Sequence, residues 1–214
     1  PPWWLGPPAT RPPLVPRETK FRPITSFVLA TIDLLSDGRL ELGIGAGWMK
    51  TDYEQSGIPY DSPGVRIDRM IEGIDVMRGC FAEGPFSFSG KHYTITDYNG
   101  MPKPLQGACP PILMGGGGKR FLTYAAQQAD IVGINATMTA GAVGPEAIST
   151  MTAEAVDDKV DIVREASGSR IADIEMNIRA FLVNITDDAQ GAIERLSKGM
   201  GVEASMIAET PFAL

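Results

Sequence analysis

One histidine and two cysteines in 214 residues leave little for metal or thiol chemistry. Zinc and other transition metals draw on clustered His and Cys, so a metal centre is not expected. Cys80 and Cys109 allow at most one bridge, too few for a disulfide scaffold, and read as free buried thiols. Basic residues are also scarce: 19 Lys and Arg against 26 Asp and Glu give a formal charge of −7. Without a basic stripe to displace counterions, nucleic acid is not expected as a partner. No run of about 18 apolar residues could span a bilayer. The start lacks a charged region, an apolar run and a small-residue cleavage site, so the expected location is cytoplasmic. What remains is an ordinary globular composition, 43% apolar and 21% charged, suited to small-molecule chemistry.

Glycine and proline are plentiful and unevenly placed. Eight prolines fall within residues 1–23, beside Trp3 and Trp4, with no periodic pattern. Pro13-Leu14-Val15-Pro16-Arg17 could be a polyproline docking peptide, or the segment a disordered arm. The favoured expectation is that residues 1–26 are not native to their position, as after a frameshift or a misplaced start.

Later glycines follow strand-like runs. Gly115-Gly116-Gly117-Gly118-Lys119-Arg120 stands between the apolar run Pro110-Pro111-Ile112-Leu113-Met114 and the helically spaced Phe121-Leu122-Thr123-Tyr124-Ala125-Ala126. Such a turn lets a ligand approach the backbone, offers free amides and adds a helix dipole with two cations, which suits a phosphate. A loose loop is the alternative, and neither common nucleotide fingerprint is present. A second turn, Gly45-Ala46-Gly47-Trp48, follows the alternating segment 39–44.

Helices are expected over 27–35, closed by Gly38, and over 63–81, opened by Ser62-Pro63 with Ile67, Met70, Ile71, Ile74, Met77 and Phe81 on one face. Phe86-Ser87-Phe88 and Tyr93-Thr94-Ile95 flank a turn as a β-hairpin insertion. Asp130 to Asn135 reads as a short buried strand, 136–150 as a long loop and about 151–167 as a helix. Glu175 to Ile185 is expected to be the longest strand, followed by a last helix capped by Thr186 and ended by Gly199 and Gly201. Strands alternating with helices imply parallel β/α units. Polar or glycine-rich residues after three strands favour a (β/α)8 barrel mouth over a doubly wound sheet.

The stretch from Ala30 to Trp48, then Glu54, then Arg66-Ile67-Asp68-Arg69-Met70-Ile71-Glu72-Gly73, resembles the luciferase-like flavin and deazaflavin oxidoreductases. Pro111 to Gly118 with Ala125-Ala126 and Ala129-Asp130 is similar to that family's cofactor-phosphate segment. Within the family the chain most resembles the actinobacterial branch that uses coenzyme F420. The resemblance covers 27–214 and implies an α/β TIM barrel of the luciferase type, incomplete here, with strands four to seven present. It also implies a fragment whose open edges would favour aggregation or a homodimer.

Carried over residue by residue, the resemblance gives Gly117, Gly118 and Arg120 to the cofactor phosphate, with Gly115 and Gly116 shaping the turn. Gly45, Ala46 and Gly47 would line the ring side of the pocket, with Trp48 and Thr51 adjacent. Trp48 and Asn135 would face the substrate. Relatives acting on sugar phosphates carry a glutamate at the Trp48 position and a lysine at the Met138 position, which argues against glucose 6-phosphate.

The expected activity is hydride transfer to or from a small organic substrate through F420. An FMN-dependent monooxygenase and a non-catalytic flavin-binding remnant are the alternatives. His92, in the hairpin, is a poor candidate acid. Arg179 would point into the barrel only in one strand register. The acids Asp52, Glu54, Asp61, Asp68 and Glu72 read mostly as a solvated face.

Overall fold

The computed structural model describes residues 23–138, 141–142, 144–181 and 183–213. The docking-peptide, arm and frameshift readings of the proline-rich start lie outside them up to residue 22. Pro23–Ser26, expected to be irregular, instead form about the first turn of helix α1 (Pro23–Leu35). Gly38, at φ +70°, closes the turn behind it, its N–H reaching the Asp33 carbonyl at 2.9 Å. Positive φ is easy for glycine.

Strand β1 (Leu42–Ile44) leads through a glycine turn to α2 (Lys50–Ser56), then α3 (Pro63–Phe81). The apolar stripe of α3 buries Met70, Ile74, Met77 and Phe81 as its spacing requires. The hairpin β2 (Phe86–Ser89) and β3 (Thr94–Tyr98) forms a separate antiparallel pair. Glu72 of α3 ties it down: its carboxylate accepts the N–H groups of Lys91, His92 and Tyr93 at 2.9, 2.8 and 3.2 Å.

Strand β4 (Ile112–Gly116), helix α4 (Lys119–Gln128) and strand β5 (Ile131–Ile134) make the β/α/β unit expected from the sequence. After it come α5 (Pro145–Ser149), α6 (Ala153–Ser167), a short 3-10 segment (Gly168–Asp173), β6 (Glu175–Ile178), α7 (Ala189–Met200) and α8 (Ala204–Glu209). The main sheet is parallel throughout, in the order β1-β4-β5-β6. Adjacent strands follow chain order once the hairpin is set aside, as in a barrel, and the fold is an incomplete TIM-barrel-like α/β structure.

Every residue of β5 is buried, the mark of a strand with neighbours on both sides and cover on both faces. Ile112, Met114, Val132 and Ile134 meet Leu122, Ala125 and Ala126 of α4, Val163 of α6 and Phe81 of α3 in one core. At about 25 cal/mol per Å2 of apolar surface, each of the Ile, Met, Val, Leu and Phe side chains contributes roughly 1.5–3 kcal/mol.

Four expectations need correction. The strand over 175–185 stops at Ile178, because its pairing with β5 is exhausted at Ile134↔Ile178. The strand expected over 39–44 is confined to Leu42–Ile44, where β4 supplies partners. The cap of α7 is Asp188, whose carboxylate accepts the Gly191 N–H at 2.9 Å, while Thr186 Oγ1 accepts the Asp188 N–H at 3.1 Å. The loop over 136–150 contains α5, opened by Pro145.

Candidate active site

Parallel strands deliver all their C-terminal ends to one side, and three of the following turns meet there. They surround a cavity of about 610 Å3, within the usual range for a small-molecule site. Gly45, Ala46, Gly47 and Trp48 after β1, Gly115, Gly116 and Gly118 at the end of β4, and Asn135 after β5 all line it. Ile67, Phe121, Met151 and Phe212 make much of the rest apolar. Thr51, Gly117 and Arg120 do not line it.

The four glycines differ in what requires them. A Cβ on Gly116 would strike the Phe121 ring, and one on Gly117 would meet the backbone carbonyl oxygens of Asn135 and Ala136. Gly117 therefore lets two loops touch; its carbonyl accepts Thr137 Oγ1–H at 3.0 Å, while Gly116 O accepts the Asn135 N–H at 3.0 Å. A Cβ on Gly115 would come to 3.1 Å from Asn135 Nδ2. Gly118 alone of the four has open space, with nothing within 4 Å.

Gly118 is also the N-cap of α4, with φ −86° and ψ 143°, no side-chain cap and no acid in the first turn. The first intrahelical bond is Leu122 N–H to Gly118 O at 3.0 Å. The amides before it belong to the group that every helix start leaves without an internal acceptor. Arg120 does not add its charge freely: Nη2 pairs with Asp68 at 2.5 Å and the side chain lies over α3.

Beneath the β1 turn the structure places a cluster that the sequence did not announce. The Tyr53 and Tyr60 rings meet edge to face at 5.1 Å, and the Arg66 guanidinium lies over Tyr60 at 4.2 Å. Tyr60 donates its hydroxyl to Trp48 O at 2.9 Å, and Tyr53 to Ala46 O at 3.4 Å. Gly47, at φ +71°, leaves room for the Tyr53 hydroxyl, which a Cβ would displace. Nothing in the spacing of Tyr53, Tyr60 and Arg66 shows this convergence, since α2 carries no apolar stripe and buries no residue.

A buried lysine braces the far wall. Lys159 of α6 is 6% exposed and donates to Asn135 O at 2.9 Å and Thr150 O at 2.6 Å. Burial pulls its pKa below the ordinary lysine value. Burial likewise pushes the Cys109 thiol up to about 11 and raises Cys80, so neither is poised as a nucleophile.

Arg179 lines the cavity from beyond the end of β6, stacked on Phe181 at 4.4 Å. His92 stays in the hairpin turn, held by Glu72, and does not line this cavity. The supposed solvated acids are mostly engaged: Asp61 pairs with Arg69 and Asp68 with Arg120, each at 2.5 Å, and Glu72 holds the hairpin. Among the described residues no group of three or more His, Cys, Asp or Glu could hold a metal ion, and no helix is long and apolar enough to cross a membrane.

Residues 28–209 match the family described as luciferase-like monooxygenase. The chain belongs to that family. Among relatives of this luciferase-like chain, the FMNH(2)-dependent dimethylsulfone monooxygenase of Pseudomonas putida is 27% identical over 155 residues, 72% of this chain and 39% of that protein. The pyrimidine monooxygenase RutA of Stutzerimonas stutzeri is 33% identical over 109 residues, 50% of this chain and 30% of that protein. The chain thus spans less than half the length of these luciferase-like relatives. In fold it is similar to an F420-dependent secondary alcohol dehydrogenase solved with an F420-acetone adduct, with a TM-score of 0.63 at 21% identity over 88% of this chain and 60% of that one.

Proposed function

We propose that this chain carries the phosphate-binding half of an FMN-dependent monooxygenase that acts on a small organic substrate with molecular oxygen. The observation that carries the reading is the open, uncapped start of α4 beside a largely apolar cavity of about 610 Å3. A phosphate fits there: free amides point out of the helix, the dipole favours an anion, and the first turn of α4 carries no acid of its own. The named relatives support FMN over F420, since the dimethylsulfone enzyme is FMNH(2)-dependent, whereas the F420 likeness rests on fold alone.

FMN, when bound, supplies the redox chemistry with oxygen. The chain's own residues position and exclude. Gly118 and the first amides of α4 would hold the phosphate. Gly45, Ala46 and Gly47 would give the ring a wall with no side chain larger than the Ala46 methyl, and Trp48 would cover the substrate side. Ile67, Phe121, Met151 and Phe212 would keep water out. Lys159, through the Asn135 carbonyl, would fix the loop that carries the Asn135 amide.

The test is an equilibrium titration of the protein with FMN and with F420, followed by incorporation of 18O from 18O2 into dimethyl sulfone or a pyrimidine as first substrates. Tighter binding of FMN and labelled product are expected. F420 binding with no FMN binding would replace this reading with hydride transfer. FMN binding without turnover on any substrate would leave a flavin-binding protein.

A further inference from the structure

Arginines on α3 come in two kinds. Arg69 pairs with Asp61 at 2.5 Å, and Arg78 donates to Gln128 Oε1 and O at 2.7 and 2.9 Å. Arg66, between the β1 turn and the cavity, is 5% exposed, and its Nε and Nη1 are buried without an acceptor. Its two polar stacking partners, Tyr60 at 4.2 Å and Tyr53 at 5.9 Å, offer ring faces, while their hydroxyls are committed to backbone carbonyls. The nearest acids on its own helix are taken: Asp68 by Arg120 and Glu72 by three amides of the hairpin.

Two buried guanidinium nitrogens without an acceptor are costly, and stacking alone does not supply one. Its planar fork matches a carboxylate through two parallel hydrogen bonds. Arg66 lines the 610 Å3 cavity, whose neighbouring wall is Trp48, Ile67 and Phe121. Arg179 also lines the cavity but is exposed and stacked on Phe181, so Arg66 is the buried cation of this lining, and a buried cation beside an apolar wall describes a ligand with one anionic end and an apolar body. The proposed phosphate cradle at Gly118 lies on another element, α4, and opens to the same cavity.

We propose that Arg66 is a specificity-determining residue that receives the carboxylate of a small apolar carboxylic acid as substrate. This rests on the reading of the cavity as the substrate site. The Tyr53–Tyr60 pair holds the guanidinium plane, and the wall of Trp48, Ile67 and Phe121 takes the apolar body. Arg66 binds and orients; it takes no part in proton or electron transfer.

The test uses benzoate, with benzyl alcohol as its uncharged counterpart, titrated by calorimetry into the whole chain with and without FMN. Benzoate should bind at least about tenfold more tightly than benzyl alcohol, and Arg66→Met should abolish the difference. Arg66→Lys should retain part of it. Equal binding of the two ligands, no benzoate binding, or undiminished benzoate binding by Arg66→Met overturns the proposal. Should Arg66→Met fail to fold, the Arg66 Nε–H resonance of the wild-type chain, identified by its loss in Arg66→Lys, decides. It should shift with benzoate and not with benzyl alcohol, and an unmoved resonance overturns the proposal. FMN titration reads the cofactor assignment separately, so benzoate binding without FMN binding would remove that assignment and leave the Arg66 site standing.

Discussion

Replacing Gly118 by aspartate should move stability and cofactor affinity in opposite directions. The N-cap geometry of Gly118, φ −86° and ψ 143°, suits an ordinary residue, and its Cβ position is open to 4 Å. Aspartate there would turn its carboxylate onto the free amides of α4, a better cap than glycine by a few tenths of a kcal/mol. Its charge at the positive end of the dipole adds about 0.3–1 kcal/mol. Together these predict a melting temperature higher by about 1–4 °C for a chain of this size. The same carboxylate would occupy the amides assigned to the FMN phosphate and repel it. Charge-assisted hydrogen bonds contribute about 1.5–3 kcal/mol each, so FMN affinity should fall by a factor of about 10–150. Riboflavin, which has no phosphate, should bind wild type and Gly118→Asp alike. Flavin fluorescence titrations and thermal melts on the same samples provide the comparison. An unchanged FMN affinity, or an equal loss for riboflavin, would refute the phosphate assignment.

Gly117→Ala should act on folding instead: its Cβ would press on the Asn135 and Ala136 carbonyls, at a cost of about 1–3 kcal/mol in urea unfolding, whereas Gly118→Ala, lacking such neighbours, should cost less. Asp33, fully buried on α1, offers a pH test. Burial alone would raise its pKa, but the side-chain and backbone N–H groups of Gln106, at 2.7 and 3.0 Å, hold the carboxyl below its ordinary value near 3.8. A depressed folded pKa contributes stability above the unfolded value and loses it as pH falls through the folded one. Asp33→Asn should therefore cost about 1–3 kcal/mol at neutral pH, with the gap to wild type narrowing below about pH 4 in urea unfolding across a pH series. A gap that stays constant with pH would contradict the assignment.

The sequence made the strand–turn–helix units legible because their signals are local. Ile112 to Met114 is followed by glycines and then by helical spacing, and α4 buries Phe121, Leu122, Ala125 and Ala126 as that spacing requires. The strand expected over 175–185 failed for a nonlocal reason. Phe181, Val183 and Ile185 continue a period of two, yet β5 offers no partner past Ile134, and Val183 and Ile185 are left 67% and 99% exposed. Alternation reports what a residue prefers; pairing depends on a neighbour elsewhere in the chain. Helices α2, α5 and α8 escaped because each is short, and α2 has no buried face to leave a pattern.

Eight of the proposed site residues were found from turns after strands and do surround one cavity. Thr51, on exposed α2, and Arg120, paired with Asp68, do not reach it. Arg66 lay inside a recognised motif but had no visible role there, because the absence of an acceptor is a property of surroundings rather than of sequence.

The register of the parallel sheet also sets an order of assembly. Leu113 pairs with Ile131 across a single helix, whereas Leu42 pairs with Ile112 across α2, α3 and the whole hairpin. The second closure spans a loop roughly four times as long, an added entropic cost of about 1.2 kcal/mol before any contact is gained. Folding should therefore begin at β4-α4-β5, so that the turn proposed to cradle the phosphate exists early, while the Gly45–Trp48 wall is completed only when β1 pairs with β4. A folding chain would hold the anchoring point proposed for the cofactor before it had a pocket around it.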